Sequence, residues 1–263
     1  MKPSAVDYVA PTTLDEALSL KQGERGQVLA GGQGLLPLLA RRRIAPDVLI
    51  DLRRLELLQG ISVGDEGVSI KAIVTLRQLL DDPRIVQSYP ALAQAARTVG
   101  VSEIRARATI GGTIVQRHPA GQILTAMAAL NGRIKVASTA GRRTIGWQAF
   151  LGCKQDQGLH DDEILVSLEL PAGGAAQGFS QVGRGVRVCA CVATDTSSGI
   201  TTLALGGLGG TVSTDPLPPT GSTELGEIAH RLTVDSTADD ESGYLAALAR
   251  VATLRALERV GSA

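Results

Sequence analysis

Ala30-Gly31-Gly32-Gln33-Gly34-Leu35-Leu36 is the stretch from which the rest of the chain is read. Three glycines fall in four positions. The apolar run before them, Val28-Leu29-Ala30, reads as a short buried strand. The run after them, LLPLLARRR from Leu35 to Arg43, is apolar and then basic, which suits a short helix with Arg in its last turn. Glycine has no Cβ to block approach, so a turn of this composition lets backbone N–H groups face a phosphate. The spacing is not G-x-G-x-x-G, and no Gly-Lys-Ser/Thr is present, so neither the dinucleotide fingerprint nor a P-loop applies. Taken alone, the stretch requires nothing more than a tight turn.

A second glycine turn changes that reading. Arg105-Ala106-Arg107-Ala108-Thr109-Ile110-Gly111-Gly112-Thr113 again offers small residues, hydroxyls and nearby Arg. Two such loops can pinch a diphosphate from both sides, with N–H groups and Thr hydroxyls donating and Arg balancing charge.

Outward from the loops, residues 12–22 form a helix capped by Thr12 or Thr13. Residues 47–51 and 68–73 read as strands. Thr75 caps a helix over 75–82, and Pro90–Ala96 is helical with Pro in the permitted first turn. A loop containing Pro119 is expected after Gly112, then a helix near Leu124–Leu130. Residues 134–136 and 143–145 read as a hairpin around Gly141, and 163–171 as a long strand closed by Pro171. Ala172-Gly173-Gly174-Ala175-Ala176 is the best linker. Beyond it, 187–195 and 200–208 are strands and 213–223 a Pro-rich loop. The C-terminal helix places Leu245, Leu248, Val251 or Ala252, and Leu257 on one face. No internal repeat is visible.

Composition bounds the function. A chain of 263 residues suits one large or two modest domains. Lys plus Arg and Asp plus Glu are both 26, so a strongly basic nucleic-acid binder is excluded. Six aromatics are too few for a single-strand stacking platform. Cys153, Cys189 and Cys191 are odd in number and contain no C-x-x-C pair, which speaks against a disulfide framework and against zinc or an iron–sulfur cluster in this chain. Buried free thiols in a reducing cytosol are expected. With no signal-peptide core and no spanning apolar run, a soluble cytoplasmic protein without a membrane partner is expected.

The two glycine loops together resemble those of the FAD-binding medium subunit of molybdenum hydroxylases, the carbon monoxide dehydrogenase and xanthine dehydrogenase group. The first loop in that family reads approximately A-G-G-[QTH]-S-L-[LI]-P, matched here by Ala30 to Pro37. The second reads approximately Q-[IV]-R-N-x-[GA]-T-[IL]-G-G-[NS], followed here by Glu103 to Thr113. The likeness extends to Tyr8–Ala17, Leu49–Leu52, Asp162–Leu165 with Leu170-Pro171, and the Tyr244–Val260 helix.

The resemblance implies an α+β fold: a two-lobed FAD-binding domain over 1–171, with lobes of about 1–55 and 56–171, and a smaller α+β domain over 172–263. It implies FAD as cofactor, held by Ala30, Gly31, Gly32, Gln33, Gly34 and Leu35 in the first loop. The second loop would contribute Ala108, Thr109, Ile110, Gly111, Gly112 and Thr113. Thr75, Gln122 and Ile164 complete the implied set. It also implies an iron–sulfur small subunit and a molybdopterin large subunit as partners, with electrons passing from [2Fe–2S] clusters through FAD to an acceptor.

The chain departs from the family in named places. Gly34 replaces a Ser, Lys71 a Gly, and His118 and Gln122 two acids, the second of which commonly contacts the adenosine ribose. The second-domain segment near the flavin ring is shortened to Phe179–Gly185. These departures motivate an alternative, a stand-alone repurposed homologue: a biosynthetic enzyme or ligand-binding protein using the same cleft with weak or no redox role. His118, His160 and His230 are dispersed and read as loop or surface histidines. Asp161-Asp162-Glu163 reads as a solvated turn, and Trp147 and Phe150 as core.

Overall fold

The structure, a computed structural model, describes residues 5–22, 26–118, 121–151, 159–173, 176–184, 186–195, 198–208, 211–217 and 242–260. Pro119, Cys153, Gly174, Ala175, Gly185, residues 218–223 and His230 lie outside them. Within them the chain is α+β, built on three sheets.

The first sheet is parallel, in the order β1-β3-β2, with β1 at Asp7–Val9, β2 at Gly26–Leu29 and β3 at Val48–Asp51. Parallel neighbours need crossovers. These are supplied by α1, Leu14–Gln22, and by the run that contains α2, Leu35–Ala40. Leu14, Ala17 and Leu18 of α1 pack with Ile50 and Leu52 in one buried cluster. Asp51 ends β3 almost fully buried. Burial pushes its pKa up, but hydrogen bonds from Arg53 and Tyr8 outweigh that and hold the carboxyl below its ordinary value.

The second sheet is antiparallel, in the order β4-β5-β8-β6-β7. Its strands are β4 (Ile61–Gly64), β5 (Gly67–Lys71), β6 (Arg133–Ser138), β7 (Gly141–Gly146) and β8 (Ile164–Pro171). Six helices are inserted between β5 and β6: α3 (Leu76–Asp81), α4 (Pro83–Ser88), α5 (Pro90–Arg97), α6 (Ser102–Arg105), α7 (Ile110–Gln116) and α8 (Gln122–Ala129). A short α9, Trp147–Leu151, follows β7 and buries Phe150, while Trp147 packs partly buried against the same core.

The third sheet, β12-β11-β10-β9, is also antiparallel. It comprises β9 (Gln177–Val182), β10 (Val188–Thr194), β11 (Thr201–Leu208) and β12 (Thr211–Leu217), with α10 (Ser242–Val260) across one face. The other face packs on α5 and α8, so β10 is covered on both sides and reads as the continuous apolar run Val188–Ala193. Helix α8 is buried all round for the same reason. A Cβ on Gly206 would stand 2.1 Å from the Thr125 hydroxyl, so this glycine lets α8 press onto β11. Among the described residues, no helix is long and apolar enough to cross a membrane.

Several sequence expectations change here. Residues after Gly112 are not a loop but the body of α7, because the Thr109 side chain accepts from the Gly112 N–H at 3.1 Å and caps it. Residues 213–217 belong to β12 rather than to a Pro-rich loop. Pro216 is tolerated because β12 lies at the sheet edge, where a missing N–H goes unused. On α10 Val251 is exposed, while the expected Leu245 and Ala252 are buried and Leu248 and Leu257 pack partly buried beside them, joined by Ala249 and Ala256. Small residues are needed there because a Cβ on Gly178 would stand 2.0 Å from the Ala256 carbonyl. At the two described ends of the segment read as a linker, a Cβ on Gly173 would meet the Ser88 carbonyl at 2.1 Å, and the Ala176 carbonyl accepts from the Thr194 N–H at 3.0 Å.

Candidate functional site

The first glycine loop leaves the end of β2 and the second opens α7. They border one cleft of about 570 Å³, within the roughly 300–1,000 Å³ range of small-molecule sites. The loops touch through their backbones. A Cβ on Gly31 would stand 2.0 Å from the Arg107 carbonyl oxygen and 3.0 Å from the Ala108 Cα. Gly31 is therefore glycine because of the other loop. Its neighbour Gly32 sits at φ +71°, a left-handed turn that side chains resist.

The two loops differ in their free donors. Among the described residues, no acceptor takes the N–H groups of Gly32, Gln33, Gly34 or Leu35, and Gly34 gives α2 no side-chain cap. Only at Leu36 does the chain turn back, to the Gly32 carbonyl at 2.9 Å. In the second loop most backbone donors are committed, and among the described residues the Thr109 N–H is the one without an acceptor. Ile110 donates to Val74 and Gly111 to Ala72, each at 2.9 Å, and Thr113 donates to the Thr109 carbonyl at 3.0 Å. Gly112 donates to the Thr109 hydroxyl at 3.1 Å, and the Thr113 hydroxyl to the Thr109 carbonyl at 2.9 Å. Among the described residues the donors are thus unequal rather than symmetric: four free backbone N–H groups on the first loop against one, at Thr109, on the second. The first loop offers donors, and the second forms a wall locked to β5 and the start of α3.

Farther along the cleft, Glu163 is buried rather than solvated. Arg143 grips it with two bonds of 2.6 and 2.8 Å, and the His160 backbone N–H donates to it at 2.8 Å. Burial pushes the Glu163 carboxyl up, but Arg143 and the His160 N–H outweigh that and hold it below the ordinary value. Arg117, in a left-handed conformation at φ +45°, lays its guanidinium 4.3 Å from the Phe150 ring centre and donates to the Phe150 carbonyl at 2.6 Å. Ile73, Ile164 and Leu165 line the cleft with apolar surface.

Of the residues the sequence singled out, Ala30, Gly31, Gly32, Gln33, Gly34 and Leu35 line this cleft, as do Ala108, Thr109, Gly111, Gly112, Thr113 and Ile164. Three do not. Ile110 is fully buried in the main core. Thr75 caps α3 through a reciprocal box with Gln78 and bridges by backbone to Thr109, so it holds the second loop from behind. Gln122 is 6% exposed in the first turn of α8, away from the cleft lining. Sequence reading missed Lys21, Gln27, Gln116, Arg117, Phe150 and His160 as lining residues. Gln116 and Arg117 directly precede His118, one of the departures from the family, and carry no other signal in the sequence. Lys21 and Gln27 carry no signal in the sequence.

A family of FAD-binding domains found in molybdopterin dehydrogenases matches residues 4–173. The chain belongs to this family. The cleft suits its cofactor, FAD, because a row of unpaired N–H groups suits an anionic diphosphate. Among curated relatives, the nicotine 6-hydroxylase medium subunit of Paenarthrobacter nicotinovorans is 31% identical over 70% of this chain and 65% of its own length. The carbon monoxide dehydrogenase medium chain of Hydrogenophaga pseudoflava is 31% identical over 68% of this chain and 63% of its own. The match thus spans less than two thirds of either relative. Among solved structures, quinoline 2-oxidoreductase from Pseudomonas putida 86 aligns with a TM-score of 0.86 at 25% identity, covering 100% of this chain and 99% of that one.

Proposed function

We propose that this chain is the flavin subunit of a molybdenum hydroxylase. It would take electrons from [2Fe–2S] clusters of a small partner subunit, while a molybdopterin large subunit carries out the hydroxylation. The observation that carries this reading is the row of unpaired N–H groups at Gly32 to Leu35 in a cleft walled by the second glycine loop. Bound FAD supplies a carrier that exchanges one or two electrons. The chain's own residues do the rest. The first loop binds the diphosphate, the second sets the width of the cleft through the Gly31–Arg107 contact, and Ile73, Ile164 and Leu165 exclude water. Cys189 and Cys191 are buried on β10, and burial pushes Cys189 up to about 12 and Cys191 higher still. Neither is placed to act as a cluster thiolate, in keeping with clusters carried by a partner.

The test is flavin content per chain from the visible spectrum of the purified full chain, with affinity capture of the tagged chain from its native host. Near-stoichiometric FAD and a co-purifying iron–sulfur, molybdenum-containing pair are expected. A colourless chain that takes up no added FAD would refute the proposal.

A further inference from the structure

Gln116 ends α7 and is exposed, yet its side chain is not extended into solvent. A Cβ built on Gly34 would stand 2.2 Å from its Oε1, 2.4 Å from its Cδ and 2.5 Å from its Nε2. The whole carboxamide lies flat on the bare Cα of Gly34, a seat that exists only because residue 34 has no side chain. Among the described residues no hydrogen bond engages this amide. The amide also lies against the loop whose N–H groups at Gln33, Gly34 and Leu35 are unpaired. Both residues line the same cleft.

We propose that Gln116 is a FAD-diphosphate ligand, its amide N–H2 adding a side-chain donor to the N–H row of the first loop, and that Gly34 is kept bare to seat it. The inference rests on the FAD reading above. An amide is suited to this place: it donates without a charge of its own, and from the α7 side it closes over a phosphate held by the first loop. It adds a side-chain donor on the α7 side of the cleft, where most backbone N–H groups are already paired.

The experiment is a double-mutant cycle on the full chain, read as dissociation constants for FAD by flavin fluorescence and for ADP by competition. Gln116→Ala weakens FAD and ADP by the same factor, on the order of tenfold for one hydrogen bond to a charged group. Gln116→Glu, which sets a carboxylate against the phosphates, weakens both further. Gly34→Ser weakens binding by a few-fold in the parent, because its Cβ evicts the amide. In the Gln116→Ala background the same change strengthens binding, because the hydroxyl enters the vacated place. Circular dichroism confirms that each variant is folded. Unchanged binding in Gln116→Ala, a loss for FAD without a loss for ADP, or the same effect of Gly34→Ser in both backgrounds overturns the proposal. If the parent itself binds no FAD, the FAD reading fails first and takes the proposal with it.

Discussion

Gly31→Ala puts one methyl group where the two loops meet. The added Cβ would stand 2.0 Å from the Arg107 carbonyl oxygen, a backbone atom that cannot rotate away. Ordinary contact begins at 3.4 Å, so the loops must part by about 1.4 Å. Overpacking of this kind costs about 1–3 kcal/mol. At about 2–4 °C per kcal/mol for a chain of this size, Tm should fall by about 2–12 °C. Parting the loops also draws the unpaired N–H row away from the second wall. Loss of one charge-assisted hydrogen bond, about 1.5–3 kcal/mol, weakens FAD by about tenfold or more. The assay is thermal unfolding with and without added FAD. The parent should gain Tm from the ligand, and the variant should gain much less at the same concentration. Gly64→Ala is the control, since its Cβ meets nothing within 4 Å and its φ is ordinary. If Gly31→Ala keeps the parent's Tm and flavin content while folding normally, the backbone contact does not set the cleft, and the proposed division of labour between the loops fails.

Glu163 is held below its ordinary value of 4.5, so its contribution to stability is present above that pH and is lost as pH falls through the lower folded value. Arg143→Leu should therefore lower Tm at neutral pH, with the gap to the parent closing below about pH 4.5 in a melting series; a gap that does not change with pH would discount the pair. Burial raises the thiol pKa of Cys189 and Cys191. In a Cys153→Ser background, native protein should react negligibly with a chromogenic disulfide reagent, while guanidinium exposes both remaining thiols; fast native reaction of either would show that β10 is not closed.

Elements with a strong local period were legible in the sequence. The apolar run of β8, the capped α3 and the Gly141 hairpin needed only alternation, a hydroxyl cap and a turn residue. What was not legible depends on neighbours distant in sequence. Pro216 looks like a breaker until β12 is seen to be an edge strand. Glu163 looks solvated until Arg143, twenty residues earlier, closes on it from β7. The leucines of α10 pack on the third sheet as their spacing suggests, but Ala249, Ala252 and Ala256 complete the buried face, and the fit at Ala256 is set from β9, where a Cβ on Gly178 would stand 2.0 Å from its carbonyl.

The candidate site shows the same limit at higher resolution. In sequence the two glycine loops look alike: small residues, hydroxyls, Arg nearby. Their chemistry differs because of where their N–H groups end. The Val74 and Ala72 carbonyls, just beyond the end of β5, take the Ile110 and Gly111 donors, so that loop is fastened beside the second sheet before any ligand arrives. The first loop leaves an edge strand of a small parallel sheet, with no neighbour among the described residues to receive its donors at Gly32 to Leu35, and those donors remain available. Glycine has a different reason at each position. At Gly31 it admits the other loop, at Gly32 it makes a left-handed turn, at Gly34 it seats a carboxamide, and at Gly111 it admits the Ala72 carbonyl, which would lie 2.8 Å from a Cβ. One of the four positions is glycine for its backbone angle and three for what lies against the missing side chain. A sequence records that a side chain is missing, and only the fold shows what occupies its place.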